Sequence, residues 1–433
     1  MEYSTNFPSV DDVIIPIDRT ADDDPASNEL PRFASIDDMV KTLRPNVPVR
    51  CIHPDAIASA AREFLDGFPG FAFYAVKANP NPHVLRHLYT NGIRRFDVAS
   101  LNEISTLRGM FPDAHLAFMH PIKNREAIRR AYFEFGVRDF AVDTFEELHK
   151  ILEETQAAAD LSIHVRLAMP DDMAFHALSK KFGASADVAV TLLQDAAKVA
   201  NRVGLCFHVG HLCFDHNQYA RAIGHAADVI KTAGVELDVF NVGGGFARSF
   251  PGHEASALTD YFTVIRDSVK ALKLPKNCQI WGEPGLALVA DGESLVVRVD
   301  LRKGDALYIN DGTYGSLFDA AKYADKKRFA VSLIRKGRKH SSVMHPFEFY
   351  GPTCDSIDHM PGPFMLPKDT REGDWIVISR QGAYGFAMQT KFNGFHSDAM
   401  VEISPNTAPQ TRRRGRKPNL TLVASNNPEV VVQ

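Results

Sequence analysis

Between residues 71 and 284 the chain alternates short apolar runs with longer stretches in which apolar residues recur at helical spacing. The runs begin near Phe71, Arg95, His115, Arg138, Leu161, Leu205, Val239 and Gln279. The first, Phe71 to Val76, carries no charge and predicts a strand buried on both faces, as in a parallel sheet. Helical stretches at 82–91, 123–135, 145–157, 185–202, 217–233 and 256–273 fall between the runs. Eight strands alternating with helices predict a (β/α)8 barrel of the TIM type.

After Pro284 the texture changes. Leu295–Leu301, Ala306–Ile309, Phe329–Ile334, Phe347–Tyr350, Asp374–Ser379 and Ala383–Met388 read as strands separated by glycine and proline turns. They predict a second, mainly antiparallel β domain. The fold class is therefore α/β, with the barrel over 48–284 and the β domain over 285–404. A helix at about 35–44, with Ser35 as its N-cap, lies in the 36–47 segment, which is expected to pack on the β domain. Val49–Ile52 reads as a short strand and 55–65 as a helix, both counted with the barrel. Residues 1–35 are acidic, with Asp22, Asp23 and Asp24 in a row, and too poor in apolar surface to offset ordering, so a flexible arm is expected. The polar tail over 405–433, with its basic cluster Arg412–Lys417, reads as disordered.

Composition narrows the class without choosing a function. A chain of 433 residues, 45% hydrophobic and 24% charged, is an ordinary globular enzyme of two domains. A net charge of -4 gives no case for a nucleic-acid or membrane partner. The five cysteines are scattered with no CxxC pair, which argues against a disulfide framework or a structural zinc site and for a reducing compartment. With no basic-then-apolar leader and no apolar run long enough to span a bilayer, a cytoplasmic protein is expected.

In a barrel of this kind the chemistry sits where the strands end. Lys77 follows the first strand, Asp97 the second, Arg166 the fifth, His208 the sixth, Gly243-Gly244-Gly245 the seventh and Glu283 the eighth, so all are expected at one mouth. Each has a plainer reading: a snorkelling lysine, an ion-paired arginine, a core histidine, a simple turn, a capping carboxylate. Together they suggest more. Burial at a strand exit lowers a lysine's pKa and prepares an amine for Schiff-base chemistry. Three glycines let backbone N–H groups approach a phosphate, a glutamate can keep a ring nitrogen protonated, and a histidine offers a flat stacking face. These are the parts of a pyridoxal 5'-phosphate site. In the β domain, Cys354 is a candidate exposed thiol and Tyr384 a candidate phosphate donor, although a buried packing role fits either residue as well.

Six motifs occur in order: Tyr74-Ala-Val-Lys-Ala-Asn79, Phe96-Asp-Val-Ala-Ser100, His208-Val-Gly210, Gly243-Gly-Gly-Phe246, Glu283-Pro-Gly285 and Gly351-Pro-Thr-Cys-Asp355. On them, over roughly 48–400, the sequence resembles the ornithine/diaminopimelate/arginine decarboxylase family of pyridoxal phosphate enzymes, built on an alanine-racemase-like barrel. The resemblance implies that Lys77 carries the cofactor as a Schiff base, His208 stacks on its ring, Glu283 pairs with its pyridine nitrogen, and Gly245 and Tyr384 contact its phosphate. It places Arg166 at the family's fifth-strand arginine. It also implies a head-to-tail homodimer in which Cys354 and Asp355 complete the neighbouring site. Two positions depart from the family pattern: His211 stands where a serine is usual and Leu286 where an arginine is usual. Loss of that arginine removes a charge-assisted contact of about 1.5–3 kcal/mol, part of which a protonated His211 would restore.

Asp355 after the cysteine resembles the ornithine-type enzymes, and a carboxylate at the far end of the pocket favours a cationic side chain. Asp319 is a second candidate for that role. The implied reaction is decarboxylation of L-ornithine to putrescine, as in polyamine biosynthesis, with L-lysine to cadaverine next. Cys354 would return the proton to the α-carbon. A catalytically weakened regulatory homologue, a diaminopimelate decarboxylase and an amino-acid racemase of the same fold are the alternatives.

Overall fold

The computed structural model describes residues 29–170, 181–337 and 339–405. The arm over 1–28 and the Arg412–Lys417 cluster lie outside the described residues.

Eight parallel strands close into a barrel in chain order: β1 (Phe71–Ala75), β2 (Arg95–Val98), β3 (His115–Phe118), β4 (Asp139–Val142), β5 (Ser162–Arg166), β6 (Arg202–Cys206), β7 (Val239–Asn241) and β8 (Gln279–Gly282), with β8 paired to β1. Helices cover the outside, and their starts are set by side-chain caps just past the strand ends. Asn81, Ser100, Asn124 and Thr144 accept from the backbone N–H of His83, Glu103, Ala127 and Glu147. Each cap satisfies an N–H that the helix itself leaves orphaned and so fixes where the chain turns at the barrel mouth.

The run around Lys77 differs from its sequence reading in one respect. β1 ends at Ala75, and Val76–Ala78 form a 3-10 turn that carries Lys77. Asn79 forces the change: its amide donates to Glu293 Oε1 at 2.9 Å and to the Gly382 carbonyl at 2.8 Å, while its Oδ1 accepts from Asn81 N–H. These bonds tie the end of β1 to the second domain instead of letting the strand run on.

The second domain is built on a nine-stranded sheet. Its main path runs Arg32–Phe33, Met400–Ile403, Val49–Ile52, Glu293–Lys303, Ala306–Ile309, Met344–Tyr350 and His359–Pro367, and Trp375–Ile378 and Val331–Ile334 branch from Glu293–Lys303. Most pairs are antiparallel, but three are parallel: Arg32–Phe33 with Met400–Ile403, that strand with Val49–Ile52, and Ala306–Ile309 with Met344–Tyr350. Val49–Ile52, counted with the barrel from sequence, is thus a strand of this sheet, paired on both sides. The last residues of the expected arm also belong to it, because Phe33 buries with Met39, Val40 and Trp375.

One further expectation fails here, and one strand has no counterpart in the sequence reading. Ala383–Met388 is a turn, with Tyr384 at φ 67°. His359–Pro367, interrupted by Pro361, Gly362 and Pro363, is nevertheless a strand; it lies at the sheet's edge, where missing N–H groups cost no ladder bond. Among the described residues no helix is long and apolar enough to cross a membrane.

Candidate active site

A cavity of about 460 Å³ opens at the C-terminal ends of the barrel strands, a size suited to a small ligand. Lys77, Asp97, Arg166, His208, Gly245 and Glu283 line it, as the strand-end rule predicts. His211, Leu286, Asp319 and Tyr384 line it too. The turn bearing Tyr384 is fastened to the turn bearing Lys77, Tyr384 N–H donating to the Ala78 carbonyl at 2.7 Å.

Lys77 Nζ lies 3.3 Å from Asp97 Oδ2, with the lysine side chain 49% exposed to the cavity and Asp97 buried. Its pKa moves opposite to the sequence expectation. The Asp97 charge raises it and outweighs desolvation, Glu283 and Tyr384 add to the rise, and Arg166 opposes it. Lys77 is held as an ammonium because its carboxylate partner is closer than burial is deep.

Glu283 is the opposite case. Burial, then the Asp97 charge, push its carboxyl up to about 7 against the pull of Lys77, Arg166 and the Asn241 amide, which donates to Oε1 at 2.7 Å. A carboxyl poised near neutrality can share a proton with a ring nitrogen that enters the cavity. Asn241 also accepts from Gly243 N–H at 2.9 Å, so one side chain joins Glu283 to the glycine turn. His208 is held neutral, chiefly by burial, and its Nδ1 accepts from Gly210 N–H at 2.9 Å.

The glycine turn is a close-approach device. A Cβ on Gly244 would lie 2.6 Å from the Glu283 carbonyl oxygen and 3.0 Å from His208 Nε2. One on Gly245, at φ +110°, would lie 2.6 Å from the Gly210 carbonyl oxygen. Gly243 is equally confined, its Cβ site 1.9 Å from the Phe207 carbonyl oxygen. Backbone this tightly stacked beside a protonated lysine and a near-neutral glutamate fits the phosphate, aldehyde carbon and ring nitrogen of pyridoxal phosphate.

Three sequence candidates need restating. Asp319 lines the cavity, but its carboxylate is bound by the buried ammonium of Lys327, so it is no unpaired counter-charge for a substrate amine. Cys354 and Asp355 are outside the cavity, on the second domain. Asn393 Oδ1 lies 3.2 Å from both the Cys354 backbone nitrogen and its Sγ, and Tyr314 OH donates to Asp355 at 2.5 Å. Tyr314 OH and then Ile357 N–H hold the Asp355 carboxyl below its ordinary range.

Sequence reasoning missed Met119, His120, Phe182, Phe318, Tyr323 and Met388 in the lining. His120 follows β3 and was open to the same strand-end argument; Tyr323 and Met388 come from irregular segments of the second domain that carry no periodic signal. Asn241 was visible as the one polar residue in an apolar strand.

The barrel, the glycine turn, the lysine and the acid beside it define a pyridoxal phosphate enzyme of the alanine-racemase-like kind. Residues 55–290 match the pyridoxal binding domain of the pyridoxal-dependent decarboxylases and 291–382 their C-terminal sheet domain, so the chain belongs to that family of decarboxylases of basic amino acids. It is 30% identical over 335 residues to the lysine/ornithine decarboxylase of Selenomonas ruminantium, covering 75% of this chain and 81% of that one. The ornithine decarboxylase of Schizosaccharomyces pombe is 31% identical over 353 residues, covering 76% and 77%. Among solved structures, the lysine/ornithine decarboxylase of Vibrio vulnificus complexed with cadaverine superposes with a TM-score of 0.71 at 27% identity, covering 84% of this chain and 96% of that one.

Proposed function

We propose that the protein decarboxylates L-ornithine to putrescine, with L-lysine the second substrate, as a cytoplasmic homodimer in which each cavity is completed by the partner copy. The observation that carries the reading is the convergence of Lys77, Asp97, Glu283 and the Gly243–Gly245 turn on one cavity.

Lys77 would be the amine that holds the cofactor, and Glu283 the acid that keeps its ring nitrogen protonated. His208 would lie against its ring, and Gly245 and Tyr384 would meet its phosphate. Bound there, pyridoxal phosphate supplies an electron sink for the pair left behind as the substrate's α-carboxylate departs. Asp97 holds the proton on Lys77 Nζ, and Arg166, with its guanidinium over the Phe182 ring at 5.2 Å, adds a second positive charge to the lining. A substrate bearing an α-carboxylate is drawn to such a mouth.

Cys354 and Asp355 supply the remaining roles from the partner copy. The thiol would return the proton to the α-carbon, and the ionised Asp355 would bind the substrate's distal ammonium. Around them Ile357, Phe392 and Phe395 are exposed, an apolar surface of the kind another copy covers. Asp355 disfavours diaminopimelate, whose distal carboxylate it would repel. A racemase would use a tyrosine of the second domain as its second acid/base, and the Cys354–Asp355 pair fits decarboxylation better.

Carbon dioxide release from ornithine, lysine, arginine and diaminopimelate, measured with added pyridoxal phosphate, tests the reading. The largest kcat/KM is expected for ornithine, with putrescine as product; preference for diaminopimelate would sink the substrate assignment. Mixing two inactive variants, Lys77→Ala and Cys354→Ala, tests the shared site. Random re-association should recover about one quarter of the activity, since half the dimers then carry one intact site. No recovery despite subunit exchange would show that each chain is self-sufficient.

A further inference from the structure

We infer that Glu293 is a positioning residue for Lys77, fixing where the amine stands in the cavity through Asn79, with Arg50 as the partner that holds its carboxylate. The inference rests on the reading of the cavity as the pyridoxal phosphate site and concerns residues behind it, since neither Glu293 nor Arg50 is part of the lining.

Lys77 stands on the 3-10 turn, past the end of β1, so the strand ladder does not set its place. Asn79 closes that turn: its N–H donates to the Val76 carbonyl at 3.0 Å, and its carbonyl accepts from Tyr74 OH at 3.1 Å. Its side chain donates to Glu293 Oε1 and to the Gly382 carbonyl and accepts from Asn81 N–H. Every polar group of Asn79 is thus engaged. Only the bond to Glu293 goes to a charged partner, and charge-assisted bonds are the stronger ones. The other restraint on the amine, Asp97, acts at the far end of a half-exposed side chain. A lysine with a loosened root would swing off that carboxylate.

The carboxylate is itself built into place. Glu293 and Arg50 are both buried, and Arg50 Nη1 lies 3.4 Å from Glu293 Oε2, which leaves Oε1 for Asn79. Burial pushes the Glu293 carboxyl up, and the Arg50 charge, then the Asn79 amide, pull against it. Arg50 is aimed by its other terminal nitrogen, Nη2 donating to the Gly385 carbonyl and to Ser316 Oγ, both at 2.8 Å. The main chain of Glu293 contributes as well. Its carbonyl accepts from Gln381 N–H at 2.9 Å, next to the Gly382 carbonyl that takes the second N–H of the Asn79 amide. A buried ion pair is a poor device for stability, because apolar residues of similar volume often do as well or better. What such residues could not do here is accept from Asn79.

The test compares two double variants that both remove the ion pair and differ only in the acceptor offered to Asn79. Arg50→Met with Glu293→Gln keeps a side-chain oxygen there; Arg50→Met with Glu293→Met does not. Each cofactor-depleted, full-length protein is mixed with pyridoxal phosphate, whose aldehyde Lys77 captures with loss of water, and the rise of visible absorbance is timed. Binding of deoxypyridoxine phosphate, which has a methyl group in place of the aldehyde, is measured in parallel by calorimetry. Capture by the Glu293→Met double is expected to be slower than by the Glu293→Gln double by on the order of 10- to 100-fold, with equal affinity of the two for the analogue. Equal capture rates, or an analogue affinity that falls as far as the capture rate, would overturn the positioning role. Should the Glu293→Met double not fold, Asn79→Ala, which leaves the ion pair intact, carries the same comparison against the parent protein. Slower capture with unchanged analogue binding is expected there, and unchanged capture would count against Glu293 equally. Parent protein that takes up no pyridoxal phosphate, or a Lys77→Ala variant that still develops the absorbance, would instead overturn the reading of the cavity.

Discussion

The two ends of the barrel use the same residue types to opposite effect. At the N-terminal end Asp139, the first residue of β4, accepts from His115 at 2.7 Å and from His164 at 2.9 Å, while Phe73, His164 and Trp281 stack across the interior. Gly204 makes room for His164, since a Cβ there would sit 2.4 Å from its Nδ1. At the C-terminal end the carboxyls of Asp97 and Glu283, the imidazoles of His120, His208 and His211, and the Lys77 amine surround an open cavity, and burial with the Asp97 charge pushes the Glu283 carboxyl up to about 7 against Lys77 and Arg166. The difference lies in where the compensation comes from. Below, the protein pairs its own carboxylate with two imidazoles, leaving only His164 Nδ1 of that cluster without a hydrogen-bond partner among the described residues; above, proton and charge are left for a ligand to settle.

Substituting Lys77 probes that difference hardest. Lys77→Ala should lower CO2 release by on the order of 10⁴-fold and abolish visible cofactor absorbance. Thermal stability of the cofactor-free protein should stay close to that of the parent, because the side chain is half exposed. A large loss of stability would mean that the upper cluster is structural too.

Asp139→Ala is the reciprocal change. It leaves two imidazoles that were bonded to a buried carboxylate without it, and should cost about 3 kcal/mol in denaturant unfolding. The folded fraction should bind pyridoxal phosphate as before. Weakened cofactor affinity in that fraction would show that the two ends are coupled through the Trp281 layer.

The contrast was half legible in the sequence. Period and strand spacing carried the barrel, because parallel strands buried on both faces leave long apolar runs that little else imitates. The same rule put Lys77, Asp97, Arg166, His208 and Glu283 at one mouth, where they are found. It did not show that Asp97 reverses the expected pKa shift of Lys77, since that depends on a 3.3 Å distance between a residue on the turn after β1 and one on β2. Nor could it show Lys327 neutralising Asp319, or Tyr384 in a left-handed turn instead of a strand; both arise from contacts across the chain rather than from local preference. The second sheet was harder because its strands mix parallel and antiparallel pairs, and two of them come from the chain's first 52 residues. The Asp139 cluster carried no such signal, because His115, Asp139 and His164 come from three separate strands and sit toward the strand starts, away from the mouth that the strand-end rule marks.

The smallest expected effect is the one that separates the two ends by sign. Asp139 is pushed up by burial and brought well below its ordinary range by bonds and charge from His115 and His164. Its contribution to stability is therefore present above the ordinary aspartate range and lost as pH falls below it. Glu283 runs the other way. Its folded pKa, raised from 4.5 to about 7, makes its contribution complete below 4.5 and lost as pH rises through 7. Cofactor-depleted protein should thus lose on the order of 2 kcal/mol between pH 5 and 8 from this group alone. Glu283→Gln, which keeps the shape and the Asn241 contact but cannot ionise, should remove that part of the slope. Every other ionisable group is common to both proteins, so the difference between the two unfolding curves isolates Glu283. An identical slope in the variant would mean that Glu283 is ionised in the empty cavity, leaving the upper cluster as self-compensated as the lower.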